Sequence, residues 1–283
     1  MSSVAKFLSE HGQVAIVRMA SVRGSSPREE GTWMLVAEGA CYGTIGGGQL
    51  EYMAIDEARA LLAKQGEAKV LDIPLGPEIG QCCGGRVKLR VEQVDDTIGT
   101  ELIRAETAER QAYPDVYMFG AGHVGRALSD AFSLLPVRPI VVDTRAEELA
   151  LIDDTVDKRL TAVPEDVARN AVPGSVFIIL THDHSLDFLI ACEALARGDA
   201  AYVGMIGSHT KRATFESWCR KSSGVNVNPA ELACPIGVSA NRDKRPEVIA
   251  AFVAAEVMAA LAPAKDNNMG SETLRREREK THD

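Results

Sequence analysis

Apolar and polar positions alternate with two different rhythms along the chain. In the first 112 residues a short helix is predicted over Val4–His11, then a β-rich run from Val14 to Val22. Further strands are predicted over Trp33–Ala37, Cys41–Ile45, Val70–Leu75 and Val87–Val94, the last with clear alternation. Between them Leu50, Met53, Ala54, Ala58, Leu61 and Leu62 recur at helical spacing, predicting a helix from Gln49 to about Lys64. A polar helix follows from Asp96 to Gln111, with Ile98, Leu102, Ile103 and Ala105 as its apolar side, and Tyr113-Pro-Asp115 breaks it.

From Val116 onward strands and helices take turns. Strands are predicted at Val116–Phe119, Pro139–Asp143, Ser175–Leu180 and from Tyr202. Helices are predicted at His123 to about Leu135, Pro164–Asn170, Leu186–Arg197, Thr210–Cys219 and Pro246–Leu261, with a helix or turn at Glu147–Ile152. Such alternation predicts βαβ units on a parallel sheet. The expected fold class is α/β: an N-terminal mixed α/β domain over 1–112 and a C-terminal Rossmann-like doubly wound parallel sheet over 113–263. The polar stretch 264–283 reads as a disordered tail.

Composition narrows this picture modestly. A net charge of −9 and an isoelectric point near 5.3 argue against a nucleic-acid binder, which usually shows a basic footprint. No apolar run approaches the roughly 20 residues of a membrane span. Residues 1–12 lack the basic start and apolar middle of a signal peptide, so the expected location is the cytoplasm. The six cysteines (41, 82, 83, 192, 219, 234) form no C-x-x-C pair, which fits neither a disulfide framework nor a zinc ribbon.

Candidate chemistry sits where strands empty into glycines. Gly120, Gly122 and Gly125 have G-x-G-x-x-G spacing after the Val116 strand, and His123 lies within it. The first glycine permits a tight turn, the second lets backbone approach a pyrophosphate, and the third lets helix and sheet pack closely. Asp143 ends the next strand, 18 positions beyond Gly125, near the separation at which an acid meets a ribose hydroxyl. In the first half, Arg23-Gly-Ser-Ser-Pro-Arg28 offers Ser25, Ser26 and Arg28 as donors to an oxyanion. Gly46-Gly47-Gly48 leads into a second helix start. Cys82 and Cys83, flanked by glycines and followed by Arg86, suit an accessible thiol of lowered pKa or a soft-metal ligand. Thr181-His182-Asp183-His184, with Asp187, lies at a strand's carboxyl end, where His182 and His184 are expected to line a crevice rather than ligate metal. Gly207, Ser208, Lys211 and Arg212 make a third glycine-plus-cation helix start.

Together these stretches resemble one family. Gly24-Ser-Ser-Pro-Arg28, Gly43-Thr-Ile-Gly-Gly-Gly48 with Leu50-Glu51, and Cys83-Gly-Gly85 look like the N-terminal motifs of the XdhC/CoxI family, the xanthine dehydrogenase accessory proteins. Phe119-Gly-Ala-Gly-His-Val-Gly125, Thr181–His184 with Asp187, Gly204-Met-Ile-Gly-Ser208 with Lys211-Arg212, and Cys234-Pro-Ile-Gly237 look like its C-terminal motifs. The resemblance spans about residues 10–262. It implies a maturation factor more than a catalyst; a homodimer is expected separately, because most soluble oligomers are symmetric dimers. Such a protein binds the molybdenum cofactor in its molybdopterin form, holds it while a cysteine desulfurase replaces an oxo ligand by sulfur, and delivers it to the molybdenum subunit of xanthine dehydrogenase. Many relatives carry a cysteine in the triple-glycine loop; here Gln49 stands there, which leaves Cys82 or Cys83 as the thiol candidate and Cys83 as the possible molybdenum contact. Two other readings stay open from the residues themselves: an NAD(P)-dependent oxidoreductase using the Rossmann half, and a thiol-based sulfurtransferase. A nucleotide at the Rossmann half is compatible with the first reading too.

Overall fold

A computed structural model describes residues 3–77, 84–221, 227–238 and 243–262. The chain divides into two compact units, residues 1–112 and 113–283.

The first unit is built on an antiparallel sheet. In chain order its elements are α1 (Ser3–Glu10), β1 (Ala15–Arg23), β2 (Trp33–Val36), β3 (Cys41–Gly43), α2 (Gly48–Lys64), β4 (Lys69–Pro74), β5 (Arg86–Gln93) and α3 (Asp96–Ala112). The strand order is β3-β2-β1-β5-β4. Alternation in β5 works as the sequence predicts: Val87, Leu89 and Val91 are buried, whereas Arg86, Lys88 and Arg90 are exposed. The buried set joins Ala15, Val17, Met19, Met34 and Val36 beneath the apolar side of α2. On the other face, Val4 and Phe7 of α1 and Leu102 of α3 cover Ile16 and Leu35. The Glu106 carboxylate of α3 accepts the Ser3 and Val4 amides and so caps α1 from a distance in sequence. The predicted third strand stops at Gly43, where φ of 80° turns the chain toward the glycine loop.

The second unit is a parallel sheet with helices on both faces. Its elements are β6 (Asp115–Phe119), α4 (His123–Ser133), β7 (Arg138–Asp143), α5 (Ala146–Leu149), β8 (Asp157–Leu160), α6 (Pro164–Arg169), β9 (Val176–Ile179), α7 (His184–Ala196), β10 (Tyr202–Met205), α8 (His209–Lys221) and α9 (Pro246–Leu261). The order β10-β9-β6-β7-β8 places β6 at the centre, every residue of it buried. Tyr117 and Phe119 enter one core with Phe177 and Phe188; Val116 and Met118 enter the other with Phe132 and Val253. Strand order reverses between β6 and β9, which is where an open α/β sheet leaves a crevice at its carboxyl ends. β8 was not predicted, because Asp-Lys-Arg-Leu on a half-exposed edge has no apolar signal. Among the described residues no helix is long and apolar enough to cross a membrane.

Candidate anion sites at glycine-rich helix starts

The first unit gathers motifs that lie far apart in sequence. β1 ends at Arg23, and Gly24, with φ of 72°, turns the chain into the serine loop. A Cβ on Gly24 would stand 3.3 Å from the Gly85 Cα, and Ser25 bridges Gly84 in parallel fashion. The same loop meets the triple glycine: a Cβ on Gly46 would lie 2.6 Å from Pro27 Cγ and 3.5 Å from Arg28 Cγ. So the serine loop is pressed between the Gly84-Gly85 strand start and the Gly46 turn, and bare backbone permits both approaches. Cys82 and Cys83, the thiol candidates, lie outside the described residues.

Two features of this cluster concern a ligand. The Ser26 Oγ is buried and has no hydrogen-bond partner among the described residues, an arrangement that costs free energy unless something else supplies one. Gly46, Gly47 and Gly48 all have positive φ (121°, 73° and 67°), and α2 starts from Gly47 with no side-chain cap. Glu51 organises the turn from within: its carboxylate accepts Thr44 Oγ1 at 2.5 Å, the Ile45 amide at 3.0 Å and the Gly47 amide at 3.1 Å. Burial alone raises this carboxyl. The three hydrogen bonds, helped by Arg28, outweigh burial and hold it below its ordinary range.

In the second unit two of the three fingerprint glycines are held by close backbone contacts. Gly120 has φ of 124°, and a side chain there would strike the Leu180 carbonyl. A Cβ on Gly125 would strike the Gly120 carbonyl, so that glycine sets how closely α4 lies on the sheet. Gly122 differs: its φ is −67°, open to any residue, and a Cβ would meet nothing within 4 Å. Nothing inside the described protein requires glycine there. It caps α4 without a side chain, and His123 follows as the first helical residue.

The crevice at the strand ends is lined by Gly120, Asp143, Thr181 and His182, with about 10 Å³ of room, the size of one water. Asp143, expected to face a ribose, is occupied. Its carboxylate accepts the Ala121 amide at 2.7 Å, the Arg145 amide at 2.9 Å and the Arg145 guanidinium at 3.0 Å on both oxygens. Burial raises this carboxyl and those bonds, Arg145 first, bring it below the ordinary value. A ribose would have to displace Arg145.

His182 and His184 are exposed. Asp183 caps α7, accepting the Ser185 amide at 2.7 Å. Among the described residues no cluster of three or more His, Cys, Asp or Glu could hold a metal ion.

The third helix start also departs from expectation. Ser208 caps α8 itself by accepting the Lys211 amide at 3.2 Å. Lys211 Nζ lies 2.5 Å from Asp187 Oδ2, fully buried, and donates to the Ile206 carbonyl at 2.9 Å. Asp187 Oδ1 accepts Thr181 through both its amide and hydroxyl. Arg212 donates to Glu216 at 3.1 Å and to the Leu232 carbonyl at 3.0 Å. A side chain on Gly207 would lie 2.7 Å from Lys211 Cδ, so that glycine makes room for the lysine stem. Lys211 and Arg212, expected at a ligand, are thus spent on holding α7, α8 and the 232–234 turn together. Sequence spacing showed two cations after a glycine and could not show that Asp187 lay opposite.

The molecule is therefore an α/β protein with two uncapped, glycine-opened helix starts, at α2 and α4, one in each unit. Its family follows from comparison with known proteins. Residues 116–257 match the model of the XdhC Rossmann domain, and residues 7–73 match the XdhC and CoxI family. The chain belongs to the XdhC family. An uncharacterized protein of Escherichia coli (strain K12), YqeB, is 23% identical over 267 residues, which are 91% of this chain and 45% of that protein. The chain thus spans a little under half the length of this curated relative. A Bacillus halodurans protein, whose crystal structure is described as that of a xanthine dehydrogenase, shares the fold with a TM-score of 0.74 at 18% identity, over 95% of this chain and 98% of its own.

Proposed function

We propose that this chain is a maturation factor that carries the molybdenum cofactor as cargo, holds it while a cysteine desulfurase adds sulfur, and delivers it to the molybdenum subunit of xanthine dehydrogenase. Membership of the XdhC family supports the maturation role. The observation that carries cargo binding is the convergence of the serine loop, the triple glycine and Gly84-Gly85 around the unpartnered Ser26 hydroxyl. On this reading Ser26 Oγ donates to a phosphate oxygen of the cargo, Arg28 supplies a forked cation, and the uncapped start of α2 adds backbone donors. Cys83 serves as the soft ligand or shield at the molybdenum. The chain acts by binding and orienting, not by turnover, as a homodimer in the cytoplasm.

A second group belongs to the same proposal. The empty space before Gly122 suits a phosphate or pyrophosphate approaching α4, as in a nucleotide. The occupied Asp143 disfavours the dehydrogenase arrangement, in which that acid holds the ribose.

The test is to purify the chain from a host that makes the molybdenum cofactor and measure molybdenum and released pterin per chain. The proposal expects both, in equal amounts. Material free of pterin that turns over a nicotinamide substrate would replace it with the oxidoreductase reading, and a stable persulfide with no pterin would replace it with the sulfurtransferase reading.

A further inference from the structure

One face of the first sheet is unusually basic for so acidic a chain. Residues directly opposite one another on antiparallel strands share a face. On the face away from α2, Arg18 of β1 stands opposite Arg90 of β5, and Arg23 stands opposite Arg86. Lys88 lies between these pairs, opposite Ser21 on β1 and Asp72 on β4. Two carboxylates interrupt the field. Asp72 takes Arg86 at 2.6 Å and Glu92 takes Arg90 at 2.8 Å. Five cations against two carboxylates leave an excess of three positive charges on the face, in a chain whose net charge is −9. Arg86, Lys88 and Arg90 are exposed, as is Val70 beside them.

Folding does not account for this arrangement. Like charges placed directly across a ladder oppose pairing, and this face has two such pairs, one on either side of the Ser21–Lys88 pair. The cluster under α1 and α3 holds Ile16 and Leu35 and reaches Trp33, opposite the half-buried Arg18, while Arg23, Arg86, Lys88 and Arg90 stay exposed. The face runs at most about 17 Å along β1 from Arg18 to Arg23, at roughly 3.4 Å per residue, with one irregularity between Met19 and Ser21. That extent exceeds what one small anion would contact. It also ends at Arg23, the residue before the Gly24 turn and the serine loop.

We propose that this sheet face is the docking surface for an acidic patch on a protein partner, which it steers onto the rim of the serine-loop site. Asp72 and Glu92 decide between protein and nucleic acid. A phosphate backbone would meet the Asp72 carboxylate in the middle of the face and Glu92 at its helix-covered end, whereas a protein surface of mixed charge finds partners for both signs. The choice of partner for the test rests on the carrier reading above; the face itself does not.

The experiment uses the full chain loaded with cofactor and the molybdenum subunit of xanthine dehydrogenase purified without its cofactor. Affinity is measured at about 0.05 M and about 0.5 M salt, where screening separates surface electrostatics from contact burial. Three chains are compared: wild type, the triple reversal Arg18→Glu, Lys88→Glu, Arg90→Glu, and Asp72→Asn. The expected result is wild-type binding that weakens as salt rises, a loss of at least about tenfold at low salt in the reversal, and tighter binding in Asp72→Asn. Pterin per chain should be the same in all three. A reversal that retains wild-type affinity while loaded overturns the proposal. So does a wild-type chain that ignores the subunit at low salt, or one that binds a DNA duplex as tightly as the subunit. A wild-type chain without pterin counts against the carrier reading alone, because affinity of the unloaded chain still reads the face.

Discussion

Gly122 and Gly125 are three residues apart in one motif, yet they are glycine for different reasons. Gly125 abuts the Gly120 carbonyl, so Gly125→Ala forces α4 off the sheet; overpacking of this kind costs roughly 1–3 kcal/mol or more. Gly122 has an ordinary φ and free space in front of it, so Gly122→Ala should cost no more than about 1 kcal/mol of unfolding free energy, the penalty of alanine at an N-cap. Its larger cost should appear in phosphate or nucleotide binding, read by calorimetric titration. Denaturant curves on both variants check the contrast. A Gly122→Ala chain as unstable as Gly125→Ala would mean the glycine is structural. Ser26 makes a parallel case. Its buried hydroxyl has no partner among the described residues, and removing such a group is neutral or stabilising, by up to about 1 kcal/mol. Ser26→Ala should therefore keep or raise stability while lowering cargo retention. Glu51 sets the acid limit. Its carboxyl lies below its ordinary value of 4.5 in the folded chain. A depressed carboxyl contributes stability that is present above the unfolded value and lost as pH falls through the folded one. Melting temperature should thus hold down to about pH 4.5 and then fall more steeply in wild type than in Glu51→Gln, which has already lost that contribution at neutral pH.

At the scale of elements, the Asp187–Lys211 pair joins the first turns of α7 and α8 and reaches the ends of β9 and β10 through Thr181 and Ile206. Removing one partner leaves a buried charge uncompensated, which costs roughly 3–5 kcal/mol, whereas removing both costs much less. Asp187→Asn and Lys211→Met should each destabilise by about that amount in a denaturant titration, and the double variant should recover most of the loss. Additive losses would contradict the pairing. The same two helices enclose Cys192 and Cys219, with their sulfurs 4.0 Å apart. Burial, with the neighbouring thiol, pushes Cys192 up to about 12, and burial also raises Cys219 and Cys234. Partial burial raises the Cys41 thiol too, so exposure is what separates it: alkylation of the native chain followed by peptide mass spectrometry should label Cys41 first and leave these three untouched until the chain unfolds.

For the whole molecule, what could be read from sequence depended on whether the cause was local. The C-terminal fold class was legible because β6, β7 and β9 are apolar runs separated by helical periods, and the three glycines mark the first turn. β8 was not, because an edge strand of Asp-Lys-Arg-Leu carries no burial pattern. The serine loop, the triple glycine and Gly84-Gly85 were each visible as motifs, but their convergence depends on β1 pairing with β5, a non-local contact. Lys211 and Arg212 misled for the same reason: charge is visible in a sequence, and the buried carboxylate that neutralises it is not. The basic sheet face was hidden by alternation, since its cations are separated by apolar residues in β5 and by 60-odd residues between β1 and β5.

The central claim is that the serine-loop cluster holds a phosphate-bearing cargo, and Ser26 gives it the sharpest test. Wild type and Ser26→Ala are purified side by side from a host that makes the molybdenum cofactor, and pterin released per chain is measured together with the unfolding midpoint. The account predicts pterin on wild type, clearly less on Ser26→Ala, and a midpoint for the variant equal to or above wild type. Equal pterin on both chains, or a variant that loses cargo only because it has lost stability, would contradict it.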